Sequence, residues 1–262
     1  MVQKLVNVSV ADLYREPTFA SERTTQALLG ERVELLERHE DFSLIRTGDR
    51  YEGWVADLQL CGARQFPHRR ATARSHHFPV HAEPDGKAPQ IRDVVIGCRL
   101  AYSERQDGWL QLVLPDGAIG WAQAEHFGAL PALCRQAAVD LAMEFLGYPY
   151  CWGGKSPKGL DCSGLVQLVF SLLQKPVPRD AVMQYREGRM LSERTADAEP
   201  GDLYFFGTCR ETVDHVGIAL GNCKLIHASG MVRINSLNPA DPDFHEKMAN
   251  RFLAAKTLFD TQ

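Results

Sequence analysis

Cys162 stands at the start of an apolar, helix-like segment, and two histidines, His215 and His227, follow in strand-like segments. A thiolate at a helix N-terminus lies at the positive end of the helix dipole beside unpaired N–H groups, and both effects lower its pKa. One imidazole can take the thiol proton, and a second can hold the first in the right tautomer and orientation. We therefore predict a catalytic triad in which Cys162 is the nucleophile, His215 the general base and acid, and His227 the orienting group.

These residue types have two other common uses in proteins. A free cysteine is often a small buried hydrophobe, so Cys162 alone does not establish a nucleophile. Three preceding glycines, Gly153, Gly154 and Gly159, and the nearly all-round apolar helix after Cys162 favour the reactive interpretation. A zinc site is disfavoured because no Cys-x-x-Cys pair and no finger-like ligand spacing occurs. We expect neither a metal nor another cofactor.

The two histidines lie on strands that flank Gly221-Asn222, a hairpin turn signal. An odd-numbered loop centred on Gly221 would make His215 and His227 cross-strand partners on one face of the sheet. A loop centred between Gly221 and Asn222 would place them on opposite faces. The triad therefore requires the odd loop.

Six short motifs follow one another over about half of the chain. They are Tyr150-Cys-Trp-Gly-Gly, Asp161-Cys-Ser-Gly-Leu, Pro178-Arg-Asp, Pro200-Gly-Asp-Leu, Asp214-His-Val-Gly-Ile and Ile226-His-Ala-Ser. Together they resemble the NlpC-type bacterial cell-wall cysteine peptidases. The resemblance implies a papain-like α+β domain that hydrolyses isopeptide bonds in peptidoglycan stem peptides.

The first half of the chain contains an internal repeat. Glu16-Pro17 recurs as Glu83-Pro84, and Gly53-Trp54 recurs as Gly120-Trp121, in both cases 67 residues later. A constant offset indicates two copies of one unit, and short alternating strands between Gly, Asp and Pro turns indicate small antiparallel barrels. Both copies resemble bacterial SH3-like domains. We predict two SH3-like β-barrels at 1–62 and 63–130, then the papain-like peptidase domain at 131–262.

An arginine-rich segment, residues 64–74, joins the two copies. We interpret it as a solvated connector.

The resemblance also implies residues that bind substrate. In family members with two SH3-like domains that act on recycled wall peptides, the first such domain walls the substrate cleft. By pattern, Glu16 and Tyr51 fall on the acidic and tyrosine positions that line the pocket for the peptide's N-terminal residue. Asp180 is the third group expected at that ammonium. Ala181 follows it where many relatives carry serine, so one hydrogen bond of this pocket is expected to be missing.

Three residues near the thiol have expected roles of their own. Tyr150 can offer its phenol to the developing oxyanion, together with the Cys162 backbone N–H. Asp161 and Ser163 are expected to hydrogen-bond the substrate backbone or amine. The alternative for Asp161 is a helix N-cap, which can coexist with a substrate contact.

Composition narrows the class of protein. With 262 residues, 45% hydrophobic and 24% charged, the chain can bury a sizeable core. A net charge of −4 and a pI near 6.1 argue against a nucleic-acid or membrane-surface partner, and no segment reads as a membrane span. Seven cysteines and the lack of an apolar leader favour the reducing cytoplasm. No obligate protein partner is implied.

These observations lead us to expect a cytoplasmic γ-D-glutamyl-diamino-acid endopeptidase that releases L-Ala-D-Glu from free peptidoglycan peptides. An amidase or acyltransferase on the same fold is a second possibility. A non-catalytic SH3-like wall-binding protein is a third, disfavoured because Cys162, His215 and His227 are all present.

Overall fold

The computed structural model describes residues 2–259. They form two compact units, one ending at Leu130 and the other beginning at Pro131. The first unit contains two antiparallel sheets, and the second combines helices with a six-stranded sheet. Within 2–259, no helix combines the length and the apolar character needed to cross a membrane.

The first sheet covers residues 2–62. Its strands are β1 (Val2–Val6), β2 (Val10–Tyr14), β3 (Arg23–Leu28), β4 (Arg32–His39), β5 (Phe42–Arg46), β6 (Glu52–Ala56) and β7 (Leu60–Gly62), in the order β3-β2-β6-β5-β4-β1-β7. Buried and half-buried residues alternate along β2, because successive side chains of a strand point to opposite faces.

The second sheet repeats the first. Its strands are β8 (Arg70–Thr72), β9 (His77–His81), β10 (Gln90–Val95), β11 (Arg99–Gln106), β12 (Trp109–Val113) and β13 (Ile119–Gln123), in the order β10-β9-β13-β12-β11-β8. Strands β9 to β13 begin and end 67 residues after β2 to β6. Trp54 pairs with Tyr14, and Trp121 pairs with His81, so the two tryptophans are equivalent. The sequence predicts two closed barrels. In the described residues, the strand order of each sheet is open, because its first and last strands do not pair with each other.

Side chains of the two sheets of the first unit pack against each other. Leu29, which follows β3, is 1% exposed and belongs to the buried cluster formed mainly by the second sheet. Gly30 lies so close to that sheet that a Cβ there would stand 3.1 Å from Leu100 Cδ2. We propose the division into 1–62, 63–130 and 131–262, in which the first two parts are repeats within one compact unit.

The second unit is α+β. Its helices are α1 (Arg135–Met143), α2 (Cys162–Leu172), α3 (Ala181–Glu187) and α4 (Glu246–Ala249). Its strands are β14 (Lys155–Ser156), β15 (Gly159–Leu160), β16 (Arg189–Ser192), β17 (Leu203–Gly207), β18 (Val213–Gly221), β19 (Lys224–Ser229), β20 (Met231–Ser236) and β21 (Phe252–Thr257). The main sheet has the order β16-β21-β17-β18-β19-β20. Helix α2 is buried along nearly its whole length, as its apolar sequence predicts.

The glycine-rich loop before α2 is approached closely by backbone, as predicted. A Cβ at Gly164, in the first turn of α2, would lie 2.0 Å from the Gly154 carbonyl oxygen. The glycine therefore allows the helix to lie directly against the loop, which determines where Cys162 stands.

We expect Gly164→Ala to destabilise the protein by about 1–3 kcal/mol, because a methyl group there must displace backbone. Thermal unfolding measures the effect. Gly48→Ala is the matched control, since nothing lies within 4 Å of a Cβ at that position. Equal melting temperatures for the two variants would contradict the close contact.

Candidate active site

Cys162 is the first residue of α2, and its thiol lies against strand β18. The Sγ atom is 4.0 Å from the carbonyl oxygen of Asp214, and the backbone N–H groups of Val216 and Ser163 donate hydrogen bonds to it. Asp214 and Val216 are the two neighbours of His215 in the chain. The packing of α2 on the sheet therefore brings the thiol against the backbone on either side of His215.

The hairpin that carries the histidines differs from the predicted one. The turn is a two-residue loop, Asn222-Cys223, in which both residues have positive φ. A register shift between Ala219 and Gly221 then inserts one extra residue in β18. The prediction that the loop itself must be odd-numbered is wrong, because this bulge restores the parity that an even loop removes.

The bulge also changes how the histidines face each other. Ile218 pairs with Ile226, and in that register His227 lies opposite Gly217, two residues from His215. A Cβ at Gly217 would stand 3.0 Å from the His227 Cβ, as this register requires. His215 and His227 are therefore diagonal neighbours on one face rather than direct partners.

The two imidazoles form part of a hydrogen-bonded chain. His215 Nε2 lies 2.8 Å from His227 Nδ1, with the rings perpendicular. His227 Nε2 lies 3.1 Å from Asn235 Oδ1, and Asn235 Nδ2 donates to the Asp243 carbonyl oxygen at 3.3 Å. These hydrogen bonds determine which nitrogen of each ring carries a proton. The Asp243 carbonyl only accepts, so the Asn235 amide must donate to it and present its oxygen to His227.

The direction of this chain decides which nitrogen can act as a base. His227 donates from Nε2 to Asn235 and accepts at Nδ1, so His215 must donate from its own Nε2. In neutral His215 the Nδ1 lone pair is then unprotonated. It is the nitrogen that can take the Cys162 proton.

Asn235 was missed at the sequence level as a member of this chain. It lies on β20 and is 6% exposed. His227 pairs with Arg233, so Asn235 is its diagonal neighbour on the same face. A polar residue on the buried face beside a histidine strand is the signal that could have identified it.

The resting pKa values differ from the predicted ones. Burial, then the charge of Asp161, raises the pKa of Cys162 to about 12, although two N–H groups and Arg179 act in the other direction. The predicted lowering is therefore wrong for the resting site. Burial lowers the pKa of His215 to about 3 and that of His227 to about 4. With these pKa values the thiol and both imidazoles are neutral at neutral pH, so a nucleophilic Cys162 would lose its proton only as it attacks.

Asp161 caps α2 and forms a buried ion pair. Its Oδ1 accepts from Gly164 N at 2.7 Å, and its Oδ2 accepts from Gly153 N at 2.9 Å. Arg179, 2% exposed, donates to both carboxylate oxygens and to Ser163 Oγ. A carboxylate offers about four acceptor sites. Asp161 is thus the N-cap that the alternative interpretation predicted, and its predicted contact with substrate stays a prediction, as does that of Ser163.

Tyr150 precedes the glycine loop and is half-buried. Burial, followed by the charges of Cys162 and Asp161, raises its pKa to about 12. The phenol therefore keeps its proton at neutral pH and can donate a hydrogen bond near the thiol, which is what an oxyanion requires.

The remaining predicted binding residues lie in different parts of the chain. Asp180 is the half-buried N-cap residue of α3, next to Arg179. Glu16 and Tyr51 belong to the first unit, where antiparallel pairing of Tyr14 with Trp54 places them at the same end of the sheet. Over residues 2–259, no group of three His, Cys, Asp or Glu side chains has the arrangement of a metal site.

Known peptidases match this chain in sequence and in fold. A model described as the NlpC/P60 family matches residues 147–251, and one described as the bacterial dipeptidyl-peptidase SH3 domain matches residues 13–60. Dipeptidyl-peptidase 6 of Lysinibacillus sphaericus is 31% identical over 97% of this chain and 99% of its own length. A γ-D-glutamyl-L-lysine dipeptidyl-peptidase of Bacillus cereus is 25% identical over 88% of this chain and 75% of its own length.

A solved structure agrees at the level of the fold. An NlpC/P60 family protein from Bacillus cereus superposes with a TM-score of 0.83 over 97% of this chain and 99% of its own length, at 21% identity. The chain belongs to the NlpC/P60 family of cell-wall peptidases, as its motifs predict, and carries SH3-like structure before the peptidase domain.

We expect Cys162→Ala and His215→Ala to abolish peptide turnover, because one removes the attacking atom and the other the base. His227→Ala should be milder, since His227 orients and does not itself transfer the proton. Steady-state kinetics on a wall peptide, with circular dichroism to verify folding, measure these losses. Normal cleavage by a folded Cys162→Ala protein would contradict the predicted catalytic triad.

Asn235→Leu should lower kcat by about ten- to a hundredfold with little change in KM, because His227 loses the acceptor that selects its tautomer. Asn250→Leu is the control, since Asn250 is exposed and lies just after α4. If Asn235→Leu raised KM and left kcat intact, the orienting role would be refuted.

The pH profile tests the neutral site. His215 must be unprotonated to accept the thiol proton, and the lowered pKa values place its protonation far below the ordinary 6.5. We expect kcat/KM to stay level through pH 6.5 and to fall toward about pH 4, where His227 gains a proton and no longer accepts from His215. The unfolded chain binds more protons there, so stability also drops, and each assay must verify folding. A midpoint at or above 6.5 in folded protein would contradict these directions.

Proposed function

We propose that the chain is a cysteine peptidase that hydrolyses the γ-D-Glu–diamino acid bond of free peptidoglycan stem peptides and releases L-Ala-D-Glu. The observation that carries the proposal is the Cys162 thiol against the backbone on either side of His215, whose Nε2 is hydrogen-bonded to His227. The names of the two dipeptidyl-peptidase relatives support the substrate class.

The first half of the reaction forms a thioester. Cys162 Sγ attacks the γ-carbonyl carbon of D-Glu while His215 Nδ1 takes the thiol proton. The carbonyl oxygen gains negative charge and accepts hydrogen bonds from the Cys162 backbone N–H and the Tyr150 phenol. The C–N bond then breaks, and the proton on His215 passes to the departing amine of the diamino acid.

The second half restores the enzyme. Water attacks the thioester carbonyl as His215 accepts its proton. The C–S bond breaks, L-Ala-D-Glu leaves with a free γ-carboxylate, and the proton returns to Cys162. In this mechanism no step needs a cofactor.

Recognition of a free amine would distinguish this activity from trimming of intact wall. A substrate with an unblocked N-terminal L-Ala presents an ammonium, for which the carboxylates of Glu16, Asp180 and Asp161 are the proposed contacts, with Tyr51 as a proposed wall of the pocket. Carboxylates favour a charged amine through charge-assisted hydrogen bonds. In intact wall this amine is amide-linked and uncharged, so we propose that the substrates are free peptides, met in the cytoplasm during recycling of wall material.

We expect N-acetylation of L-Ala-γ-D-Glu-diaminopimelate to lower kcat/KM by about a hundredfold or more, because a carboxylate pocket then loses its partner. Glu16→Gln should reduce the difference in kcat/KM between the free and the acetylated peptide. Glu83→Gln is the matched control, because Glu83 is the repeat equivalent of Glu16.

Mass spectrometry of the products completes this test. Release of L-Ala-D-Glu indicates hydrolysis, whereas transfer of the acyl group to an added amine would indicate an acyltransferase. Comparable rates on free and acetylated peptides would rule out the amine requirement.

A further inference from the structure

Three arginines surround one cavity in the first unit. Arg32 begins β4, Arg70 begins β8 and Arg99 begins β11. The cavity measures about 380 Å³, a size that suits a small ligand. Its apolar lining consists of Leu5, Phe66, Leu100, Ala101, Val113 and Pro115. We call this site the arginine pocket.

The internal repeat explains why the three meet. Arg32 and Arg99 are equivalent residues of the two copies, 67 positions apart. Gly30, two residues before β4, lies against β11, since a Cβ there would stand 3.1 Å from Leu100 Cδ2 and 3.4 Å from the Arg99 carbonyl oxygen. Arg99 pairs with Thr72 and Ala101 with Arg70, so Arg70 and Arg99 are diagonal neighbours on one face.

The charge of the arginine pocket is uncompensated. Across residues 2–259, no carboxylate lies within 4.0 Å of the Arg32, Arg70 or Arg99 guanidinium. Nearby Arg92, by contrast, is paired with Asp116. Burial, then the charges of Arg32 and Arg99, lowers the pKa of Arg70, as expected where like charges converge.

The connector between the copies takes part in the pocket. Phe66 is half-buried, and the Arg70 guanidinium lies over its ring at 5.1 Å from the centroid. Two apolar residues of the floor, Leu5 and Leu100, are 2% and 1% exposed. The interpretation of 64–74 as a solvated connector is incomplete, because residues 70–72 form strand β8 and Phe66 is half-buried, although Arg70 itself is exposed.

We propose that the arginine pocket binds a small phosphate ester, with the phosphate held by Arg32, Arg70 and Arg99 and the attached apolar group against Phe66 and the floor. A phosphate offers three acceptor oxygens and about −1.5 to −2 charge, which matches converging guanidiniums better than a single carboxylate does. Guanidinium is the side-chain group best suited to such bidentate recognition.

Isothermal titration calorimetry of the full chain at low salt tests this site with phenyl phosphate, inorganic phosphate and benzoate. We expect phenyl phosphate to bind most tightly, because it supplies both the dianion and the ring. Arg70→Gln should weaken its binding by about tenfold or more. Arg69→Gln is the matched control, since it removes the same charge from the same segment and does not line the cavity.

Thermal unfolding without ligand separates binding from folding. Arg70→Gln relieves repulsion, so the free protein should melt no lower than wild type, whereas a purely structural Arg70 would give a lower melting temperature. Cosedimentation with phosphatidylglycerol vesicles distinguishes the source of the phosphate. Cosedimentation that is lost in Arg70→Gln indicates a lipid headgroup, and its absence in the wild type indicates a free phosphate ester. Equal phenyl phosphate affinity in the two variants, or no binding at millimolar concentration, would overturn the proposal.

Discussion

The complete burial of His227 is the constraint on which the candidate active site depends. A buried imidazole nitrogen without a partner costs about 1–3 kcal/mol, so both nitrogens of His227 must be matched. Asn235 matches one and His215 the other. The Asp243 carbonyl fixes the amide of Asn235, so this series of hydrogen bonds has one direction. A backbone oxygen therefore determines which nitrogen of His215 is left unprotonated.

A second buried interaction positions the thiol. The Asp161–Arg179 pair is almost fully removed from water, so neither charge can be deleted alone without leaving the other uncompensated. The same carboxylate caps α2 and holds the loop at Gly153. Cys162 therefore stands at a helix start that is anchored on both sides, with a thiol whose pKa is raised by burial.

The duplicated sheets show how a repeat acquires features that neither copy has alone. Leu29 of the first copy completes the core of the second, so the two form one unit. The same contact brings the equivalent residues Arg32 and Arg99 together and, with Arg70, leaves positive charge unopposed around an apolar floor. Such like charges are stabilised only by solvent or by a bound anion.

Local signals in the sequence determined much of this protein. The apolar run after Cys162 predicted a buried helix, the 67-residue offset predicted two equivalent sheets, and six motifs predicted the family. Each depends on residues close in the chain or on a repeated pattern. Only the tertiary structure decided the bulge before Gly221, the contribution of Asn235 and the raised pKa of Cys162. These follow from strand register and burial, which are set by contacts between distant segments and are not encoded in any one of them.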